Sequence, residues 1–251
     1  MLSPLHFMLF LDDRLAVYIN SFAHRSWRAD YIVWRITNSY VFKGSAVMMV
    51  YWWAWFCAPK NLPEKEIRDQ RDTLLSTLML SIPVVLLARL MALLLPFRDR
   101  PLHNAALHIK LAFEIAPDTL ESWSSFPSDH AALFFALATG IFLVSRRAGW
   151  VMYVYTALVI SLPRVYLGIH YPSDVLGGAL LGIAAGSIVR DPSVRHAINW
   201  PAERLRDFSP GLFYAFLFQL SFQTAALYEP LRQIALSAMK VLQHHTVAMR
   251  F

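Results

Sequence analysis

Long apolar runs alternate with short, arginine-rich polar stretches along most of the 251-residue chain. An apolar run of about 20 residues is long enough for a helix to cross the hydrocarbon core of a membrane. Four runs reach or approach that length, at residues 38–57, 73–95, 149–169 and 172–189, and two weaker ones lie at 131–144 and 211–228. The pattern predicts an all-α, polytopic membrane helical bundle with about six transmembrane helices.

Both ends of the chain show a different pattern. Arginines alternate with aromatic residues within residues 1–37, and apolar residues recur at helical spacing within 231–251. Such amphipathic helices lie in the headgroup layer of a membrane. We therefore divide the chain into an interfacial segment, 1–37, a membrane core, 38–189, and a region, 190–251, that contains a further transmembrane helix and an amphipathic tail.

The composition agrees with a membrane protein. Hydrophobic residues make up 57% of the chain and the mean hydropathy is +0.41, which is unusual for a soluble domain. The single cysteine, Cys57, excludes an intramolecular disulfide. We expect the bilayer as a partner and no nucleic acid, and we make no prediction of the oligomeric state.

Basic residues in the short loops predict the orientation of the bundle. They are Lys60, Lys65, Arg68 and Arg71, then Arg146 and Arg147, then Arg190, Arg195, Arg204 and Arg206. These loops fall on one face, which the positive-inside rule makes cytoplasmic. The basic N-terminal segment falls on the other face in this count, unless it crosses the membrane itself as a first span. The localisation predicted is the inner membrane of a bacterium, with the other face extracytoplasmic.

Ionisable and polar residues gather on that extracytoplasmic face, at the ends of four predicted helices. They are Arg98, Arg100, Ser128, His130, Arg164, His170 and Asp174. A charge within the bilayer costs several kcal/mol, so such residues are expected to face a polar cavity. Because they share one face although up to 76 residues separate them in the sequence, we interpret them as one site.

The residue types predict a phosphate site without a cofactor. Guanidinium groups donate paired hydrogen bonds to phosphate and keep their charge when partly desolvated, which suits Arg98, Arg100 and Arg164. Backbone amides at the helix start near Ser128 would donate further hydrogen bonds.

The two histidines have different predicted roles. His170 precedes Pro172, a favoured first-turn residue, so a helix is expected to begin here and to place Asp174 one turn away. Asp174 would accept a proton from one ring nitrogen of His170 and leave the other as a nucleophile. His130 follows a similar helix start and would protonate the leaving oxygen.

Two other interpretations stay open at this point. Pro-Ser-Asp occurs at 127–129 and at 172–174, and each copy alone is an ordinary helix start. His130, His170 and Asp174 are also common metal ligands, although nearby arginines would repel a cation.

Three short motifs resemble the signatures of the type 2 phosphatidic acid phosphatase superfamily. They are Arg100-Pro101, Pro127-Ser128-x-His130 and Arg164-x5-His170-x3-Asp174, within roughly residues 38–189. The resemblance implies a helical bundle and a phosphohistidine on His170, with Asp174 orienting that ring and His130 as the acid. It also implies that Arg100, Arg164 and Ser128 hold phosphate. The membrane spans favour the lipid-phosphatase branch.

Two positions depart from the family pattern. Leu93 stands where the first motif has a lysine, and we expect Arg89 or Arg98 to supply the missing cation. Asp129 stands where glycine is usual, and we expect its carboxylate to point away from a bound phosphate because like charges repel.

The hypothesis from the sequence is a metal-independent membrane phosphatase acting on a lipid phosphate or diphosphate, with undecaprenyl diphosphate as the best guess. A phosphotransferase would share the phosphohistidine step, and a non-catalytic protein that binds or transports lipid phosphates would share the pocket. These two remain alternatives.

Overall fold

The computed structural model describes residues 4–57, 62–230 and 233, and helices are the only regular secondary structure in that part of the chain. In order they are α1 (Pro4–Asn20), α2 (Trp27–Asn38), α3 (Ala46–Phe56), α4 (Glu64–Leu94), α5 (Asp129–Val144), α6 (Arg146–Tyr166), α7 (Pro172–Ile188), α8 (Pro192–Phe208) and α9 (Pro210–Ala225). A π-helical turn, Val41–Ser45, leads into α3. The predicted all-α class is confirmed.

The centre of the bundle is α5, which is buried along most of its length and packs most extensively against α7. Glycines allow this close approach: a Cβ on Gly178 would lie 2.3 Å from the Ser128 carbonyl oxygen, and one on Gly186 would lie 2.7 Å from the Cβ of Thr139. These contacts show that the two helices run parallel. Both therefore begin at the same end of the bundle.

Helices α4 and α6 end where α5 and α7 begin. Arg89, near the end of α4, lies 3.5 Å from the carboxylate of Asp129, the first residue of α5. Arg164, near the end of α6, contacts His130. Four helix ends therefore bring the predicted site residues together, as the loop pattern predicts.

The outer surface of the bundle suits a bilayer. Helices α4 and α6 are long and apolar enough to cross a membrane, and the pair α7 and α8, bent by 88° at its junction, would make a third span. Large apolar side chains are exposed on the outer faces, among them Leu86, Leu90, Leu158, Leu176, Leu180 and Phe218. The chain forms an integral membrane bundle.

The predicted count of about six spans is larger than these two or three, as far as the described residues go. The other apolar helices lie where spans are predicted but are short. Helix α3 has 11 residues and α5 and α9 have 16 each, while α7, which was counted above only together with α8, has 17.

The structure describes most of the N-terminal segment but almost none of the predicted C-terminal tail. The N-terminal segment forms α1 and α2, and α1 packs against the last turn of α6 and the start of α7. The predicted C-terminal tail lies outside the described residues except for Gln233, as does Lys60. The division of the chain into three regions stays a prediction.

Candidate active site

A cavity of about 170 Å³ lies at the end of the bundle where α5 and α7 begin. Its charged and titratable lining residues are Arg89, Arg100, Asp129, His130, Arg164, His170 and Glu229. Sites that enclose a whole small molecule usually measure about 300–1,000 Å³. This cavity therefore has the size for a phosphate group, with the rest of a larger ligand outside it.

The His170 ring is held by a backbone carbonyl. Its Nδ1 lies 2.8 Å from the Ser125 carbonyl oxygen, but 3.7 Å from Oδ2 of Asp174. The longer distance exceeds a hydrogen bond, so in this structure Asp174 contacts the ring as a nearby charge, and its role in orienting the ring stays a prediction. Because a carbonyl oxygen only accepts, Nδ1 carries the proton and Nε2 keeps its lone pair.

Burial lowers the pKa of His170, and the Arg100 and Arg164 guanidiniums lower it further, while the neighbouring Asp174 opposes them. The ring is therefore neutral at pH 7. A neutral imidazole is the form that can act as a nucleophile.

Asp174 belongs to a buried hydrogen-bond network beside His170. Its Oδ2 accepts a hydrogen bond from the Tyr171 amide (2.7 Å), and its Oδ1 accepts one from Nη1 of Arg98 (2.7 Å). Nη2 of Arg98 donates to Asp12 of α1, which also accepts from the Ser173 amide at 2.9 Å. Arg98 therefore braces the start of α7 and does not supply a cavity cation.

Asp12 is a contributor that sequence reasoning did not find. It is 5% exposed, although the segment around it is predicted to be interfacial. The available signal was an acidic pair, Asp12-Asp13, that directly follows an apolar run. An acidic residue in such a context usually has a buried cationic partner.

His130 lies between a carboxylate and a guanidinium. Its Nδ1 is 2.9 Å from Oδ1 of Asp129, and Nη2 of Arg164 lies within reach of both ring nitrogens, 2.6 Å from Nε2 and 2.9 Å from Nδ1. Asp129 lines the cavity, so the expectation that its carboxylate points away is wrong. The reason is that this carboxylate has two partners within reach, His130 and the 3.5 Å ion pair with Arg89.

Ser128 serves the helix rather than the cavity. Its fully buried hydroxyl accepts a hydrogen bond from the Ala131 amide at 3.4 Å, and its own amide donates to the Asp174 carbonyl at 3.0 Å. This is the N-cap arrangement at the start of α5. The structure therefore does not bring Ser128 to the phosphate-sized cavity.

The guanidinium nitrogens of Arg100 all have hydrogen-bond partners, whereas one nitrogen of Arg164 has none among the described residues. Arg100 donates to the carbonyls of Trp123, Ser124 and Ile169, at 2.7–3.2 Å. These bonds fix the loop that carries the Ser125 carbonyl. The buried Nε of Arg164 has no hydrogen-bond partner among the described residues. A buried donor of this kind is a candidate to bind a ligand oxygen.

The geometry separates the two candidates for the missing cation, because Arg89 lines the cavity and Arg98 is engaged elsewhere. We expect Arg89→Ala to raise the KM for a lipid phosphate by about tenfold, since it removes a cation and leaves the Asp129 carboxylate without its guanidinium partner. Leu93→Ala, at the position of the family lysine, is the matched control and should change KM by less than about twofold. Steady-state kinetics of purified proteins measure both, and equal small effects would exclude Arg89 from phosphate binding.

The model of the PAP2 superfamily matches residues 73–191. This segment, a little under half of the chain, is therefore similar to the PAP2 superfamily. The segment includes most of α4, all of α5 to α7, and every cavity residue named above except Glu229.

Individual relatives match over shorter stretches. Bacitracin transport permease protein BcrC of Bacillus licheniformis is 42% identical over 66 residues, which cover 26% of this chain and 32% of that protein. An undecaprenyl-diphosphatase of Sulfolobus acidocaldarius is 40% identical over 58 residues, or 23% and 28% of the two chains. A decaprenylphosphoryl-5-phosphoribose phosphatase of Mycobacterium tuberculosis is 39% identical over 92 residues, or 37% and 46%. The match therefore spans less than half the length of each of these proteins.

Proposed function

We propose that the protein is a membrane lipid phosphatase that works through a phosphohistidine on His170. The observation that carries the proposal is that two histidines with different hydrogen-bond partners line one arginine-rich cavity. The carbonyl of Ser125 fixes Nδ1 of His170 and leaves Nε2 as the nucleophile. His130 donates a proton to the leaving oxygen.

In the first step, Nε2 of His170 forms a bond to phosphorus while the bond to the leaving oxygen breaks. His130 donates a proton to that oxygen, and the guanidiniums stabilise the charge on the other phosphate oxygens. Arg164 occupies Nε2 of His130 in this structure. Phosphate binding therefore has to draw the Arg164 guanidinium away from His130 before the acid can work.

In the second step, water replaces His170 on phosphorus. His130 takes a proton from the attacking water, the bond between phosphorus and Nε2 breaks, and phosphate leaves. Asp174 assists from a distance of 3.7 Å by balancing positive charge on the His170 ring.

The proposed substrate is a lipid with a small phosphorylated head group, and undecaprenyl diphosphate is the best candidate. The cavity lies at the ends of helices with apolar outer faces, so a lipid can keep its tail in the bilayer while its phosphate enters. Two of the relatives are named for polyprenyl substrates. Their activities support this choice by similarity.

We also propose that the site faces the extracytoplasmic side of a bacterial inner membrane. The opposite end of the bundle carries the basic residues of the short loops, including Lys65, Arg146 and Arg190. The positive-inside rule favours a cytoplasmic position for that end. To test this orientation, a reactive tag is placed at either end of the bundle and intact cells are treated with a membrane-impermeant reagent. Only the tag at the end that carries the site should react.

Phosphate release from purified protein tests the function. The panel is undecaprenyl diphosphate, phosphatidic acid, phosphatidylglycerophosphate and lipid A, each with EDTA present. We expect kcat/KM for undecaprenyl diphosphate to exceed that for the glycerolipids by at least about tenfold, equal to about 1.4 kcal/mol. Vanadate should inhibit, because it mimics the five-coordinate phosphoryl group.

Each other outcome has a definite meaning. A reversed ranking would contradict the substrate and leave the phosphatase assignment in place. Loss of activity in EDTA that one divalent ion restores would contradict metal independence, which stays a prediction here. Transfer of phosphate to a lipid or glycan acceptor would identify a phosphotransferase. No turnover on any substrate would favour a binding or transport protein.

A further inference from the structure

A second cavity, of about 310 Å³, shares a wall with the first. His130 and Arg164 line both cavities, whereas His170 lines the first and not the second. In phosphoryl transfer the attacking and leaving groups lie roughly in line on opposite sides of phosphorus. If His170 attacks from the first cavity, a leaving group that extends past His130 enters the second one.

The second cavity has the residues to bind an anion. Lys43 lines it with Asn38 and Tyr40, and Nζ of Lys43 lies 5.6 Å from the centre of the Tyr40 ring. Glu229 lines both cavities, and its Oε1 accepts a hydrogen bond from Gln233 at 3.1 Å. Among the described residues that line this cavity, Lys43 and Arg164 therefore carry two positive charges and Glu229 one negative charge.

The backbone holds Lys43 in place from both sides. The Phe42 carbonyl accepts a hydrogen bond from the Tyr155 hydroxyl of α6. A Cβ on Gly44 would lie 2.0 Å from the Ala225 carbonyl oxygen, so the turn packs directly on the end of α9. This π-helical turn belongs to a class of irregularity that often occurs at functional sites.

We propose that Lys43 forms a binding site for the phosphate of the leaving group, which makes lipid diphosphates the favoured substrate class. The inference rests on the proposed function. When Nε2 of His170 bonds to the outer phosphorus, the bond from that phosphorus to the bridging oxygen breaks. The electron pair stays on the lipid phosphate, and Lys43 and Arg164 balance its charge. A lipid monophosphate releases an uncharged alcohol, which gives Lys43 nothing to bind.

Two substrates with the same tail test the site. Farnesyl diphosphate and farnesyl monophosphate are compared in detergent with wild type, Lys43→Met and Lys43→Arg. We expect Lys43→Met to lower kcat/KM at least about tenfold for the diphosphate and less than about twofold for the monophosphate. Lys43→Arg should keep most of the preference because it keeps the charge. Lys65→Met, an exposed lysine at the other end of the bundle, is the matched control.

Equal losses on both substrates, or no loss on either, would overturn the Lys43 site. Absence of phosphate release by wild type from both substrates would instead overturn the proposed function, so the two failures are distinct. If Lys43→Met lowers the thermal unfolding midpoint, Lys43→Gln replaces it, since glutamine keeps much of the length and the hydrogen bonding without the charge. It must then show the same selective loss on the diphosphate.

Discussion

Replacing His170 by alanine is expected to lower phosphate release by at least about a thousandfold, because it removes the nucleophile that divides the reaction into two steps. The buried ring also donates a hydrogen bond to the Ser125 carbonyl, so its loss should lower the stability as well, by about 1–3 kcal/mol. Kinetics with the preferred lipid phosphate, together with thermal unfolding, measure the two effects separately. His196→Ala, an exposed histidine on α8, is the control and should retain wild-type turnover.

The covalent intermediate gives an independent readout. Rapid quenching of the wild-type reaction should trap a phosphoryl label that is stable in alkali and labile in acid, as expected for phosphohistidine. The label should be absent in His170→Ala. Wild-type turnover in that variant, or a label of unchanged intensity, would show that another residue is the nucleophile.

Replacing His130 by alanine is expected to lower kcat about 10²–10⁴-fold on a lipid monophosphate, the usual contribution of a general acid. The loss should be smaller on the diphosphate with the same tail. An alkoxide leaving group needs a proton to depart, whereas a lipid phosphate is already a stable anion. The comparison therefore separates proton donation from simple binding.

The contacts of His130 add a second effect that this test has to separate from proton donation. Its two ring nitrogens contact Asp129 and Arg164, so the alanine variant also frees both partners. If that disturbance alone reduced turnover, both substrates would lose activity equally. An equal loss would thus contradict the role of His130 as an acid.

The sequence was sufficient for the helical class, the end of the bundle that carries the site, and most of the charged and titratable residues that line the cavity. Apolar length predicts α4 and α6 because a span must satisfy its backbone internally. Short basic loops predict which helix ends come together. Arg100, His130, Arg164 and His170 belong to motifs with fixed spacing, and all four line the cavity.

Only the tertiary structure decided which groups support those residues. It placed Arg89 rather than Arg98 in the cavity, and it brought the Ser125 carbonyl within 2.8 Å of Nδ1 of His170. It also brought Asp12 to Arg98, and Lys43 into the second cavity. Sequence patterns report the length, amphipathicity and caps of single helices, which are local properties. Contacts between helix ends tens of residues apart depend on how the helices pack, and no local pattern specifies that.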